Sequence, residues 1–207
     1  MFEILLRKRK INMTYYLDIE LYPTKDMREN FLLNHVYTFF HKRLYDLKSN
    51  NIAVSFPKYR LKLGKLFRIH GSKESLEKLQ AKEWLGSYAK FCKVSKIQQI
   101  PDEVKYRTIS RVQQNMTEAK LRRLIKRAKE GKGGFNEDDI KKYRIKMLQS
   151  GLDNPYVELM SESGKKKNGS KEKLHRRFIA FGEFQDTEVK GEFDLFGLSK
   201  IATVPWF

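Results

Sequence analysis

The chain has almost no cysteine: Cys92 is the only one in 207 residues, so no internal disulfide can form, and one cysteine with four histidines cannot build a cysteine-rich zinc module. That usage implies a reducing compartment. Long apolar runs are missing too; none approaches the roughly 20 residues that a membrane-spanning helix needs, and Phe2 to Leu6 is too short for a signal-peptide core. A cytoplasmic chain without a membrane partner is expected. Paired carboxylates, a phosphate-binding glycine loop, HExxH and GxSxG are all lacking, so neither a metal nor an organic cofactor is expected. Acidic residues are scarce as well. Against 25 Asp and Glu stand 43 Lys and Arg, a formal charge of +18, which predicts salt-sensitive attraction to phosphate backbones.

What is present is unevenly placed. The cations gather in three runs, Leu6–Lys10, Lys120–Lys129 and Lys165–Arg177. In the middle run Lys120, Arg122, Arg123, Lys126, Arg127 and Lys129 put six cations into ten residues. Leu121, Leu124, Ile125 and Ala128 recur at i, i+3, i+4 and i+7, so the spacing predicts a helix over 117–130, capped by Thr117, with one apolar stripe and cations elsewhere. A merely solvated face interleaves glutamate at i, i+4, and here that pairing is nearly absent. The polyanion this implies is a nucleic acid.

Residues 1–12 read as an N-terminal extension before Met13. Tyr15–Leu21 alternates as a half-buried strand, and Thr24 offers an N-cap for a helix on which Leu32, Val36, Phe40, Leu44 and Leu47 recur at helical spacing. Ile52–Phe56 and Leu66–His70 read as strands, Ser72 as the cap of a second helix, and Arg107–Gln114 as a strand again; Phe91–Ile100 is ambiguous between strand and irregular chain. Strand, helix, strand, strand, helix, strand is the ferredoxin-like order of RNA-recognition modules. The expectation is therefore an α+β chain: an N-terminal ferredoxin-like (RRM-like) domain over 13–114, and a C-terminal region over 115–207 with the arginine-rich helix and a small β-sheet. In that region Asn136 caps a further helix, Tyr156–Ser161, Phe178–Phe181 and Phe193–Phe196 supply β-structure, Ser163–Lys173 is a Gly/Ser/Lys loop, and Gly197–Lys200 is a tight turn.

Chemistry, if there is any, rests on histidine. A metal-free ribonuclease needs a base near neutrality to take a ribose 2′-OH proton, and a reference pKa of about 6.5 suits that. His35 and His41 lie on the first helix, six apart and so not on one face; by pattern alone each reads more readily as structural than as catalytic. Arg111 and Gln113, two apart on a strand, share a face and suit a guanine followed by an adenine, although exposed polar strand residues are common.

Several separated stretches align with one family: YYLDIEL (Tyr15–Leu21), FFHKRL (Phe39–Leu44), IAVSFP (Ile52–Pro57), FRIHGS (Phe67–Ser72), SRVQ (Ser110–Gln113), the arginine-rich helix, GLSK (Gly197–Lys200) and the VPWF end. Together they span nearly all of 13–207, in the family's order. The chain resembles the type I-F CRISPR repeat endoribonucleases, the Csy-four or Cas-six-f family. The resemblance implies that His41 activates a 2′-OH for attack on the adjacent phosphate, without metal, giving a 2′,3′-cyclic phosphate, and that Ser161 holds the attacking ribose. It implies that Arg111 and Gln113 read two bases at the foot of a repeat hairpin, and that Lys120, Arg122, Arg123, Lys126 and Arg127 dock in its major groove. The partners implied are the CRISPR repeat hairpin, the mature crRNA and the other subunits of the type I-F surveillance complex. Three departures stand out. Phe196 occupies the place of a tyrosine, so only packing is left to orient His41; a base-stacking aromatic becomes His175; and the loop from Ser163 to His175 is longer and richer in lysine. A non-cleaving hairpin-binding subunit, and a basic ribosome- or DNA-associated protein, are the rival readings.

Overall fold

A computed structural model of the chain describes residues 13–113, 118–149, 154–160 and 174–207. The extension 1–12, the Thr117 cap, Ser161, Ser163 and the loop 163–173 lie outside the described residues.

Alternation builds the first sheet. Along β1 (Tyr15–Leu21) Leu17, Ile19 and Leu21 are buried and the residues between them are half-buried, so one face meets the core. β2 (Ala53–Ser55) pairs with β3 (Leu66–Gly71), β3 with β1, and β1 with β4 (Cys92–Val94) and β5 (Gln98–Gln99), all antiparallel, in the order β2-β3-β1-β4. Helix α1 (Glu29–Leu47) connects β1 to β2, and α2 (Lys73–Gln80) follows β3. Leu32, Val36, Phe40 and Leu44 of α1 are fully buried, as their spacing requires. Each contributes about 1.5–3 kcal/mol relative to exposure. Ser72 accepts from the Ser75 N–H and caps α2. Thr24, in contrast, does not cap α1. Its hydroxyl and carbonyl both face the Met27 N–H in a local turn, and α1 starts only at Glu29, after Arg28.

The second sheet has the order β7-β8-β6-β9, with β6 (Lys105–Val112) antiparallel to β8 (Leu174–Phe181) and β9 (Thr203–Trp206), and β7 (Tyr156–Met160) antiparallel to β8. Two sequence expectations shift here. The strand expected over 107–114 and counted with the first sheet is β6 of the second, because the residues opposite Ile109 and Arg107 are Phe181 and Val204; β4 and β5, from the ambiguous 91–100 stretch, stand on the far side of β1 instead. Phe193–Phe196 is a turn rather than a strand, and the closing strand is β9.

One hydrophobic cluster runs through both sheets, and α1, packed on β7, lies at their junction; Asn34 Oδ1 accepts from the Glu158 N–H at 3.0 Å. Two arginines fasten the C-terminal strand. Arg107 donates to the Gly182 carbonyl and the Tyr59 hydroxyl amid the rings of Tyr59, Phe181, Phe184 and Trp206. Arg68, on the other face of the first sheet, holds Asp18 at 2.7 and 2.9 Å and the Phe207 main-chain oxygen at 2.8 Å, and stacks with Tyr16 and Phe207. α3 (Glu118–Lys129) and α4 (Glu137–Gln149) form a separate hairpin, with Leu121 and Tyr143 buried outside the main cluster. Asn136 and Asp139 exchange side-chain-to-backbone bonds at 2.9 and 3.1 Å, capping α4 as its sequence predicts. Among the described residues no helix is long and apolar enough to cross a membrane.

Candidate active site and nucleic-acid interface

His41 is placed by its own helix and by one turn. Tyr37 and His41 are four apart on α1, hence on one face, and both meet the turn Asp194–Leu198. The Asp194 carboxylate accepts from the Phe196 and Leu198 N–H groups at 2.8 and 3.0 Å, and its carbonyl accepts from the Gly197 N–H. Gly197 has φ +70°, and a Cβ there would press on Val54, so only glycine fits. The turn is seated by three main-chain bonds: Val54 N–H to the Gly197 carbonyl, Ser199 N–H to the Ile109 carbonyl, and Phe193 N–H to the Asn50 carbonyl. It therefore touches both sheets.

On that seat the Phe196 ring lies parallel to His41, with centroids 3.6 Å apart and planes at 10°. The Tyr37 hydroxyl donates to the Phe196 carbonyl at 2.8 Å; burial, and secondarily the charge of Asp194, keep this phenol protonated. His41 Nδ1 stands 2.8 Å from the Leu195 carbonyl. A carbonyl only accepts, so Nδ1 carries the proton, and in the neutral ring Nε2 holds the lone pair. The expectation that packing alone orients His41 is thus incomplete: a main-chain acceptor does so as well. The sequence could not show it, because a carbonyl's direction depends on the turn.

The other histidines are differently employed. His70 is fully buried, with Nε2 2.7 Å from the Ser55 hydroxyl, and burial, aided by Arg68, lowers its pKa to about 3. His35 stacks on Tyr88, and burial lowers its pKa too. Burial pushes the Cys92 thiol up to about 11, away from a nucleophile's range.

Of the residues expected to contact a nucleic acid, Arg111 is exposed on β6 opposite Ile179. Gln113 is exposed too, but one residue past the end of β6, so strand alternation does not extend to it. His175, on β8 opposite Leu159, is exposed. Lys120, Arg122, Arg123, Lys126, Arg127 and Lys129 are all exposed on α3 around the buried Leu121, with Lys126 3.9 Å from Glu130. Sequence reasoning missed Asp194, Leu195 and Arg177. Arg177 sits at the end of the third cationic run, where its alternation with Ile179 on β8 was the only signal; its guanidinium lies 3.4 Å over the Phe196 ring.

Comparison with known proteins gives this geometry its context. Residues 16–207 match the family model described as CRISPR-associated protein (Cas_Csy4). The chain is 32% identical to the CRISPR-associated endonuclease Cas6/Csy4 of Pseudomonas aeruginosa (strain UCBPP-PA14), and 29% identical to the protein of the same description from Escherichia coli (strain UTI89 / UPEC). Each match covers 94% of this chain and 100% of the relative. A histidine stacked on an aromatic ring, arginines on two strands and an arginine-rich helix are thus carried by a chain that belongs to the Cas_Csy4 family of CRISPR-associated endonucleases.

Proposed function

We propose that the chain is a metal-independent endoribonuclease that binds the CRISPR repeat hairpin, cuts the precursor RNA on the 3′ side of the stem, and stays on the mature crRNA within the type I-F surveillance complex. His41 Nε2 takes the ribose 2′-OH proton; the 2′ oxygen attacks the adjacent phosphorus, the P–O5′ bond breaks, and the leaving 5′ oxygen takes a proton from water. The products are a 2′,3′-cyclic phosphate and a 5′-OH. Ser161 steadies the ribose, Phe196 and the Leu195 carbonyl aim the imidazole, and Arg111 and Gln113 read the foot of the stem. Ser163 and His175 contact the strand beside the cut, and the α3 cations grip the stem above it. A short stem next to its loop leaves the A-form major groove open enough for a helix.

The observation that carries this reading is the bond from His41 Nδ1 to the Leu195 carbonyl, which leaves Nε2 as the basic atom of a ring already fixed by Phe196. The same reading divides the chain into a ferredoxin-like unit, with β4 and β5 taken as its fourth strand and the sheet order β2-β3-β1-β4 as support, and an RNA-clamping unit to which β6 belongs.

A labelled repeat RNA tests it. The wild-type protein is expected to cut it in EDTA, and His41→Ala to slow cutting by about 10²–10⁴-fold while binding the hairpin as before. Dependence on Mg²⁺, or a His41→Ala protein that still cuts, would overturn the assignment. A wild-type protein that binds but never cuts would make the chain a hairpin-holding subunit.

A further inference from the structure

Arginines that leave solvent in this protein find oxygen acceptors. Arg43 donates to the carbonyls of Lys78 and Leu79, Arg68 to Asp18 and Phe207, and Arg107 to Gly182 and Tyr59. Even the exposed Arg176 reaches Glu158 at 2.9 Å. Arg177 is the exception: half-buried, its Nε enclosed, it meets no acceptor among the described residues. Among the described residues its guanidinium rests on the Phe196 ring, 3.4 Å below it. His41 lies 3.6 Å from the same ring. Two planar groups that close to one ring cannot share a face, so Phe196 is a plate with the base on one side and a cation on the other.

The electrostatic setting makes the cation costly. Burial draws the Arg177 pKa down, and Arg111 repels it; Tyr37 and Asp194 compensate only in part, and Asp194 turns one carboxylate oxygen, Oδ1, to the N–H groups of the turn. A desolvated cation with unused donors beside a like charge is relieved by an anion that enters between them. Resting on the endoribonuclease reading, the anion available is the RNA backbone.

We propose that Arg177 is the phosphate contact of the cutting site: stacked on Phe196 opposite His41 and next to Arg111, its guanidinium takes a non-bridging oxygen of the phosphodiester being cut. Charge builds on those oxygens as the 2′ oxygen attacks. A preorganised cation there acts on the rate more than on the affinity.

The test uses Arg177→Met, which keeps an unbranched stem on Phe196 without charge, and Arg177→Lys, which keeps charge without the planar fork. Single-turnover cutting is measured on the repeat hairpin and on hairpins with either non-bridging oxygen of the scissile phosphate replaced by sulfur. Hairpin affinity is measured in a His41→Ala background. Arg177→Met is expected to cut about 10²-fold more slowly with affinity changed by less than about tenfold, and Arg177→Lys to recover part of the rate. One of the two sulfur substitutions should slow the wild type but not Arg177→Met, since the interaction it disturbs is already gone. Equal sulfur effects in both proteins, or an Arg177→Met rate equal to wild type, would overturn the proposal. If Arg177→Met fails to fold, Arg177→Gln, equally without charge, is read by the same two outcomes. A wild-type protein that cuts nothing would instead sink the endoribonuclease reading.

Discussion

Burial of an imidazole ties stability to pH at His70. With a folded pKa of about 3 against an ordinary 6.5, the unfolded chain binds a proton below pH 6.5 that the folded chain refuses. The stabilisation is therefore complete above about pH 6.5 and lost as the pH falls toward 3, at up to about 1.4 kcal/mol per unit. Urea unfolding at pH 7 and pH 5 should show the wild type losing on the order of 2 kcal/mol more than His70→Gln; equal losses would mean that His70 titrates normally. At this scale the sequence is legible where a side chain's type carries the message. His41 stands out through FFHKRL and Phe196 through its place before GLSK. It is illegible where the message is a main-chain direction, as at Leu195, or where a side chain stacked on the Phe196 ring hides in a charge run, as at Arg177.

Helix α3 shows how much an element can reveal by itself. Its apolar residues form one stripe, glutamates are few among its cations, with Glu130 meeting Lys126, and in the structure Leu121 is buried while Arg122 and Arg123 are exposed. Because these two arginines do little for the fold, Arg122→Ala with Arg123→Ala should leave the circular dichroism spectrum unchanged. Hairpin binding at a series of salt concentrations, in the His41→Ala background, should become weaker and less salt-sensitive, its log–log slope falling by roughly one for each phosphate no longer neutralised. An unchanged slope would remove α3 from the interface. Strands carry less information of this kind. The residues of 107–114 announce a strand, but the pattern does not say which sheet receives it, since pairing is decided by residues 72 and 97 positions away, Phe181 and Val204. The existence of β6 is therefore plain from its residues, whereas its place in the second sheet is not.

Across the whole molecule, charge and architecture act together. The formal charge of +18 and the ring of exposed cations around α3 predict slow release of an RNA product. With repeat RNA in tenfold excess at low salt, cutting should stop after about one hairpin per protein, and raising the salt should restore turnover; many turnovers at low salt would count against retention. The two sheets and α1 share one core, and the 193–199 segment bonds to both sheets, so His41 on α1 and the cations of β6 and β8 are held in one frame. The stack of Tyr16, Arg68 and Phe207 has a consequence of its own. RNA-recognition modules lay single-stranded bases over aromatic rings on the open face of a four-stranded sheet. Here Phe207 lies over that face, with Arg68 against the rings of Tyr16 and Phe207 and bonded to Asp18. The sheet has in effect swallowed its own bait, and under the proposed function a visiting strand would be turned toward the second sheet and α3.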